Sequence, residues 1–284
     1  MVSVEVIQPQ RSGSDLTEEI RAADPGPGLT LWWLGQSGFV VKAGRVCVLF
    51  DPYLSDSLSH MYAATDHPHI RMTALAAPAG ELDFIDIVTC SHHHTDHLDA
   101  DTLRPLVAAN PALTLLVPES CSDLASGRAG ITTDRVDTVD AGQTVELNGV
   151  TVHAVAAAHE RIELDAMGHH RYLGYVAVFD NGYSVFHSGD TVLHDDLVAS
   201  LEPFTIDVAI LPINGRRSER GVAGNLWGRE AAQLAKDIAA EVAVPCHYDM
   251  FTFNTESPEE FTKTCDEIEQ PYKVLACGEA FHVE

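Results

Sequence analysis

A strand-like apolar run at residues 85–90 leads straight into His92-His93-His94-Thr95-Asp96-His97, and this junction constrains the chain more than any other feature. A near-continuous apolar strand has to be covered on both faces, so it belongs inside a layered domain. Strand alternation sends His92 and His94 to one side of the chain and His93 to the other. A turn after Thr95 then lets Asp96 and His97 face the same point. Imidazoles and a carboxylate gathered in this way suit a divalent ion, Zn²⁺ first and Mn²⁺ or Fe²⁺ as alternatives. The plain alternative is a solvated polar loop, which leaves unexplained the further His and Asp residues at later strand ends.

Around this junction the chain alternates strand-like and helix-like segments with no clear linker. Residues 14–23 read as a short amphipathic helix, stopped by Asp24-Pro25-Gly26-Pro27-Gly28. Strands are expected at 29–34, 38–43, 46–50, 112–117, 143–147, 150–157, 172–179, 183–187, 208–213 and 242–245, with a last one at 272–276. Helices are expected from Asp99 through Ala109, at 121–126, after Leu193, and at 229–240 and 258–268. Two β-rich halves, each with its own helices, predict an α/β fold of two packed sheets covered by helices. The domain reading is an N-terminal extension with a short helix, residues 1–28, followed by a single domain, residues 29–284. Residues 54–80 are polar, His- and Ala-rich and weakly periodic, which reads as a functional loop or lid.

Charge narrows the partners. The chain has 17 basic and 42 acidic residues, a formal net charge of −25. Binding a polyanion over a broad surface needs cations that displace counterions, so neither nucleic acid nor a membrane surface is an expected partner. No apolar run approaches the roughly 18 residues of a membrane span. Residues 1–10 lack a basic start and a small-residue cleavage site, so a cytoplasmic protein is expected. Six cysteines form no C-x-x-C pair, and Cys47, Cys90 and Cys246 lie in apolar runs as small hydrophobes. Neither a disulfide nor a cysteine zinc site is expected. A homo-oligomer is compatible with the sequence.

The spacing His92-x-His94-x-Asp96-His97 resembles the H-x-H-x-D-H motif of the metallo-β-lactamase superfamily. Three later segments resemble its remaining motifs: Ala158-His159-Glu160, Ser188-Gly189-Asp190-Thr191 and Pro245-Cys246-His247-Tyr248. Within the superfamily the chain looks most like the L-ascorbate-6-phosphate lactonase (UlaG-like) family. That likeness rests on Leu31-Trp32-Trp33-Leu34-Gly35, Phe186-His187-Ser188-Gly189-Asp190, Ile206-Asp207-Val208-Ala209 and residues 230–253. The resemblance implies an αββα sandwich, two mixed β-sheets packed face to face with helices outside. It also implies two divalent ions, one held by His92, His94 and His159, the other by Asp96, His97 and His247, with Asp190 bridging them.

The implied chemistry is hydrolysis of a small, anionic lactone or phosphate ester by a hydroxide generated between the two ions. Asp96 would orient the nucleophile, and Tyr248 or the second ion would stabilise the leaving oxygen. Arg216, Arg217 and Arg220 are three arginines in five residues on an acidic chain. They read either as an anion site for the substrate or as surface solubility residues. His67, His69 and Arg71 read as part of a lid over the substrate or as an ordinary loop. Asp51 reads either as a turn residue or as the acceptor that fixes a ligand imidazole, and Gln36 and Ser37 are placed at the same mouth. A phosphodiesterase or nuclease of this fold, and a metal-dependent oxidoreductase, are the alternatives. Charge argues against the first, and His94, where such oxidoreductases carry Glu, argues against the second.

Overall fold

Strand β1 (Leu29–Gly35) is buried along its whole length, as its run of Leu, Trp and Leu requires. In the computed structural model, which describes residues 5–284, β1 lies second from the edge of a seven-stranded sheet. The other strands are β2 (Gly38–Ala43), β3 (Val46–Phe50), β4 (Ile87–Thr89), β5 (Thr114–Pro118), β6 (Val136–Val139) and β13 (Ala280–Val283). Their order is β13-β1-β2-β3-β4-β5-β6, antiparallel on one side of β3 and parallel on the other. A second, six-stranded sheet contains β7 (Thr144–Leu147), β8 (Val150–Ala156), β9 (Leu173–Phe179), β10 (Ser184–His187), β11 (Val208–Pro212) and β12 (Val242–Cys246). It runs β12-β11-β10-β9-β8-β7 and is also mixed.

One apolar core joins the two sheets, with Phe39 and Leu49 from the first and Tyr175, Phe186 and Ile210 from the second. The Phe50 ring stacks on His187 across the interface at 5.3 Å. Helices α3 (Ala100–Ala109) and α4 (Ser122–Ala129) flank the first sheet, and α6 (Gly228–Asp237) packs on β11 and β12 with α7 (Glu259–Ile268) beside it. Two short helices, α2 (Ser57–Met61) and α5 (Leu197–Leu201), complete the set. Helix α1 (Gly13–Ala22) buries Leu16 and Ile20 in the shared core, so this helix packs as part of the same body.

The expected strand at 272–276 is a correction. That segment makes only one bridge, Tyr272 to Ala243, and the chain end instead pairs antiparallel with Leu29–Trp32 as β13. The edge of β1 is the longer open ladder, and the chain end satisfies it. β6, not expected from the sequence, is an edge strand whose two central residues are exposed and polar.

Strand direction places the site. β1, β3 and β4 run parallel to one another, as do β8, β10 and β12. Their carboxyl ends therefore gather along one rim of the sandwich, and the candidate residues follow directly from them: Gln36, Asp51 and His92 from one sheet, and His159, Asp190 and His247 from the other.

Candidate metal centre

At that rim the ligand-type atoms fall into three overlapping groups. Asp51, His92 and His97 are joined by hydrogen bonds through Asp51 and Ser91, and two other groups remain. His92, His94 and His159 form one, and Asp96, His97 and His247 form the other, the atoms within each lying within 4.8 Å of one another. Asp190 reaches both: its Oδ2 is 3.7 Å from His159 Nε2 and 3.4 Å from both His97 Nε2 and His247 Nε2. Asp96 Oδ2 lies 3.7 Å from the same atoms of His97 and His247. Ligands at roughly 2.0–2.2 Å from a tetrahedral zinc stand roughly 3.3–3.6 Å apart. The second group with Asp190 is close to that spacing.

Hydrogen bonding orients the imidazoles and leaves the Nε2 atoms of His92 and His97 bare. Asp51, buried at the end of β3, accepts from the Ser91 backbone N–H at 2.7 Å and from the Ser91 hydroxyl. Ser91 Oγ has spent its proton, so it accepts from His92 Nδ1 at 2.9 Å, which leaves His92 Nε2 without hydrogen. Asp51 also accepts from His97 Nδ1 at 2.6 Å, turning Nε2 toward Asp96 and Asp190. One carboxylate thus orients an imidazole in each group. His159 Nδ1 donates to Gly224 O at 3.0 Å, orienting the third. Among the described residues eight buried side-chain polar atoms have no hydrogen-bond partner. Five of them belong here: Gln36 Oε1, His92 Nε2, His97 Nε2, Asp190 Oδ1 and His247 Nδ1. Buried polar atoms are rarely left unpaired, and the bare Nε2 atoms of His92 and His97, beside Asp96 and Asp190, fit a cation better than any packing role.

Electrostatics divides the groups. Burial, reinforced by neighbouring imidazoles, holds His92 well below the ordinary histidine range, and burial chiefly takes His94 down to about 4. Both are neutral and available as ligands. Burial opposes charge on His97 as well, but Asp190, Asp96 and Asp51 outweigh it and push its pKa well up. Burial would likewise raise Asp190, yet His97 and His247 hold it well below the carboxylate range. Three carboxylates converging on buried imidazoles form a site that positive charge stabilises. Backbone strain accompanies it. Gln36, Asp51 and His247 have φ of 51°, 40° and 62°, a left-handed conformation that costs a non-glycine residue about 1 kcal/mol or more.

Around the centre is a cavity of about 390 Å³. The protein's other candidate residues are distributed unevenly relative to it. Tyr248 is a correction: its hydroxyl donates to Leu275 O at 2.6 Å and its ring packs on Trp33, so it turns into the core and away from the cavity. Tyr172 lines the cavity instead, beside His92, His94 and His159.

The arginine loop is a second correction. Arg216 is clamped by both oxygens of Glu230 at 2.6 and 2.7 Å, and Arg217 binds Glu256 at 2.6 Å while lying over Trp227. Arg220 is buried against Glu256, Asn214 O and Thr255 O. None of the three lines the cavity, although Val222 and Ala223 of the same loop do. Its arginines pin the loop whose Gly224 carbonyl orients His159.

The long early loop divides in the same way. His67 is exposed and outside the cavity lining, and His69 lines it. Arg71, also expected to meet substrate, is a third correction. Its guanidinium is taken up by Asp56 at 2.6 Å, Thr73 O at 3.3 Å and Ser55 O. Gln36 exceeds its expected role at the mouth: its Nε2 donates to Asp96 Oδ2 at 2.7 Å and lies 3.0 Å from His247 Nε2. Ser37 is buried, its carbonyl bound by His187. Arg128, Glu160, Glu163, Phe251 and Phe253, which no sequence pattern singled out, also line the cavity. Arg128 also braces the histidine loop, donating to His93 O at 2.6 Å and Leu98 O at 2.8 Å. Phe251 and Phe253 lie within six residues of His247, and that proximity was the one usable signal.

Comparison with known proteins agrees with this geometry. Residues 47–248 match the family model described as the beta-lactamase superfamily domain. A UPF0173 metal-dependent hydrolase of Methanopyrus kandleri is 30% identical, the match covering 89% of this chain and 99% of that protein. The probable L-ascorbate-6-phosphate lactonase UlaG of Escherichia coli is 24% identical over 87% of this chain and 77% of its own. Among solved structures, a possible metal-dependent hydrolase of Veillonella parvula superposes with a TM-score of 0.71 at 18% identity, covering 90% of this chain and all of that one. A metallo hydrolase of Ignicoccus hospitalis gives 0.65 at 21%, covering 90% and 99%. These last two show the shared fold. With a family model over most of its length and a near full-length relative, the chain belongs to the metallo-β-lactamase-fold superfamily, as a metal-dependent hydrolase of the UPF0173 family with kinship to the UlaG-like lactonases.

Proposed function

We propose that this hydrolase opens small lactones, cleaving the ester bond with the help of two divalent ions, zinc first and manganese or iron as alternatives. The observation that carries the reading is Asp190, one carboxylate shared by two ligand groups inside a single cavity. Bound there, the ions would supply Lewis acidity and a water ionised at neutral pH. Asp96, ionised and held by Gln36, orients the attacking water and receives its proton. Tyr172, a phenol protonated at neutral pH in any case and pushed further up by burial, donates to the departing oxygen, the role first expected of Tyr248.

The lactonase relative supports a lactone before a phosphate ester. The lining argues against a highly charged substrate. Arg128 is its one Lys or Arg side chain, against Asp96, Glu160, Glu163 and Asp190. We therefore place at most one anionic group on the substrate, directed to Arg128. Six buried, unpaired thiols support a reducing compartment such as the cytoplasm.

The test is turnover of protein reloaded with zinc, manganese or iron on δ-valerolactone, dihydrocoumarin and bis(p-nitrophenyl) phosphate. Ring opening of a lactone with release of a carboxylate supports the reading. Turnover of the phosphodiester alone would replace it with a phosphodiesterase.

A further inference from the structure

Beside the metal-ligand groups, the same cavity carries a wall of rings with no part in holding ions. Tyr62 stacks on His69 at 4.2 Å with 23° between the planes. His69 in turn meets Phe251 edge-on at 5.1 Å and Phe253 at 4.5 Å. All four line the cavity together with Asp96, Asp190 and His247. Phe251 is buried, whereas Tyr62, His69 and Phe253 are only half-buried, so ring surface is left open.

This wall stands apart from the main core. It belongs to a small satellite cluster with Tyr53, Leu58 and Met250. The cluster is held in place by Arg71, which bridges to Phe251 through the backbone and lies over the Tyr53 ring at 5.1 Å. With Asp56, Ser55 O and Thr73 O fixing the same guanidinium, the two loops that supply the rings are tied together. His69 is presented as a ring, not as a cation: burial lowers its pKa, and its Nδ1 donates to His67 O at 3.1 Å.

We infer that Tyr62, His69, Phe251 and Phe253 form a subsite for a flat, conjugated group attached to the bond that is cleaved. The inference rests on the hydrolase reading for the bond, and on the ring geometry alone for the group. A cavity of about 390 Å³ has the volume of a small-molecule site. Stacked and edge-on contacts favour an aromatic or conjugated plane over an aliphatic chain of equal size.

Two inert lactams separate this from the hydrolase reading, because they bind without being opened. Dihydroquinolin-2-one carries the fused ring, and 2-piperidone is its aliphatic counterpart. Affinities are measured by ligand-observed NMR on metal-loaded protein, for wild type, Phe253→Leu, His69→Ala and the ring-preserving His69→Phe. Wild type binds the aryl lactam more tightly. Phe253→Leu and His69→Ala weaken the aryl lactam by about three- to tenfold, while 2-piperidone and metal content are unchanged. His69→Phe retains the preference. Equal binding of the two lactams by wild type, or parallel losses on both in the variants, overturns the subsite. Aryl-lactam preference in a protein that opens no lactone leaves the subsite standing and overturns the reaction.

Discussion

Residues 92–97 and residues 216–220 look equally loaded in the sequence, the first with imidazoles and the second with guanidiniums, yet they reach opposite electrostatic states. In the first, His92 and His97 are buried with their Nε2 atoms unpartnered, and carboxylates converge on them without neutralising every donor. In the second, every arginine is paired with a carboxylate, Arg216 with Glu230, and Arg217 and Arg220 together with Glu256. A dense run of one residue type marks a site only where its polar atoms remain unspent. An acidic chain supplies partners for its arginines readily. It leaves the buried Nε2 atoms of His92 and His97 unpaired, and a cation would satisfy both.

The contrast is most easily broken at Asp190. Asp190→Asn retains the volume but replaces the shared carboxylate with a neutral amide, a poor bridging ligand. The expected loss in kcat/KM is at least about a thousandfold, ~4 kcal/mol at the transition state. Elemental analysis of the variant should show one ion lost. Unchanged turnover would make Asp190 a turn residue. Next is Asp51, which touches no proposed ion yet orients His97 directly and His92 through Ser91. Asp51→Asn should weaken metal binding by about ten- to a hundredfold in chelator competition. Affinity equal to wild type would reduce Asp51 to a structural turn.

The arginine side of the comparison predicts smaller and different effects. Arg220→Met removes a buried cation that holds Asn214 O and Thr255 O, while Glu256 keeps Arg217. A stability loss of about 3 kcal/mol is expected, read as a lower denaturation midpoint with metal stoichiometry retained. Arg216→Ala breaks a part-exposed ion pair. It should leave kcat/KM for both neutral and phosphorylated lactones within about twofold. A selective loss on the phosphorylated substrate would return the loop to the active site.

What the sequence made legible follows from range. The histidine cluster was readable from the apolar strand that runs into it. His159, Asp190 and His247 were candidates through the resemblance to the metallo-β-lactamase motifs, each within a few residues of an apolar strand. The run Ile87–Thr89 into His92 and the step from Cys246 to His247 show this directly. Tyr248 was misplaced because the left-handed backbone at His247 turns the chain, sending the adjacent phenol into the core. The fate of the arginines depended on Glu230 and Glu256, 14 and 39 residues from their partners, a pairing that local pattern does not encode. The aromatic wall joins residues 62 and 69 to residues 251 and 253, and nothing in either segment alone announces it.

The central claim is that two groups of ligands share Asp190, and counting ions tests it most directly. Protein stripped with chelator, titrated with Zn²⁺ and analysed by elemental mass spectrometry after desalting should saturate at about two ions per chain. In Asp190→Asn the count should fall to about one. Saturation of the wild type at a single ion, or at none, would contradict the shared-carboxylate centre.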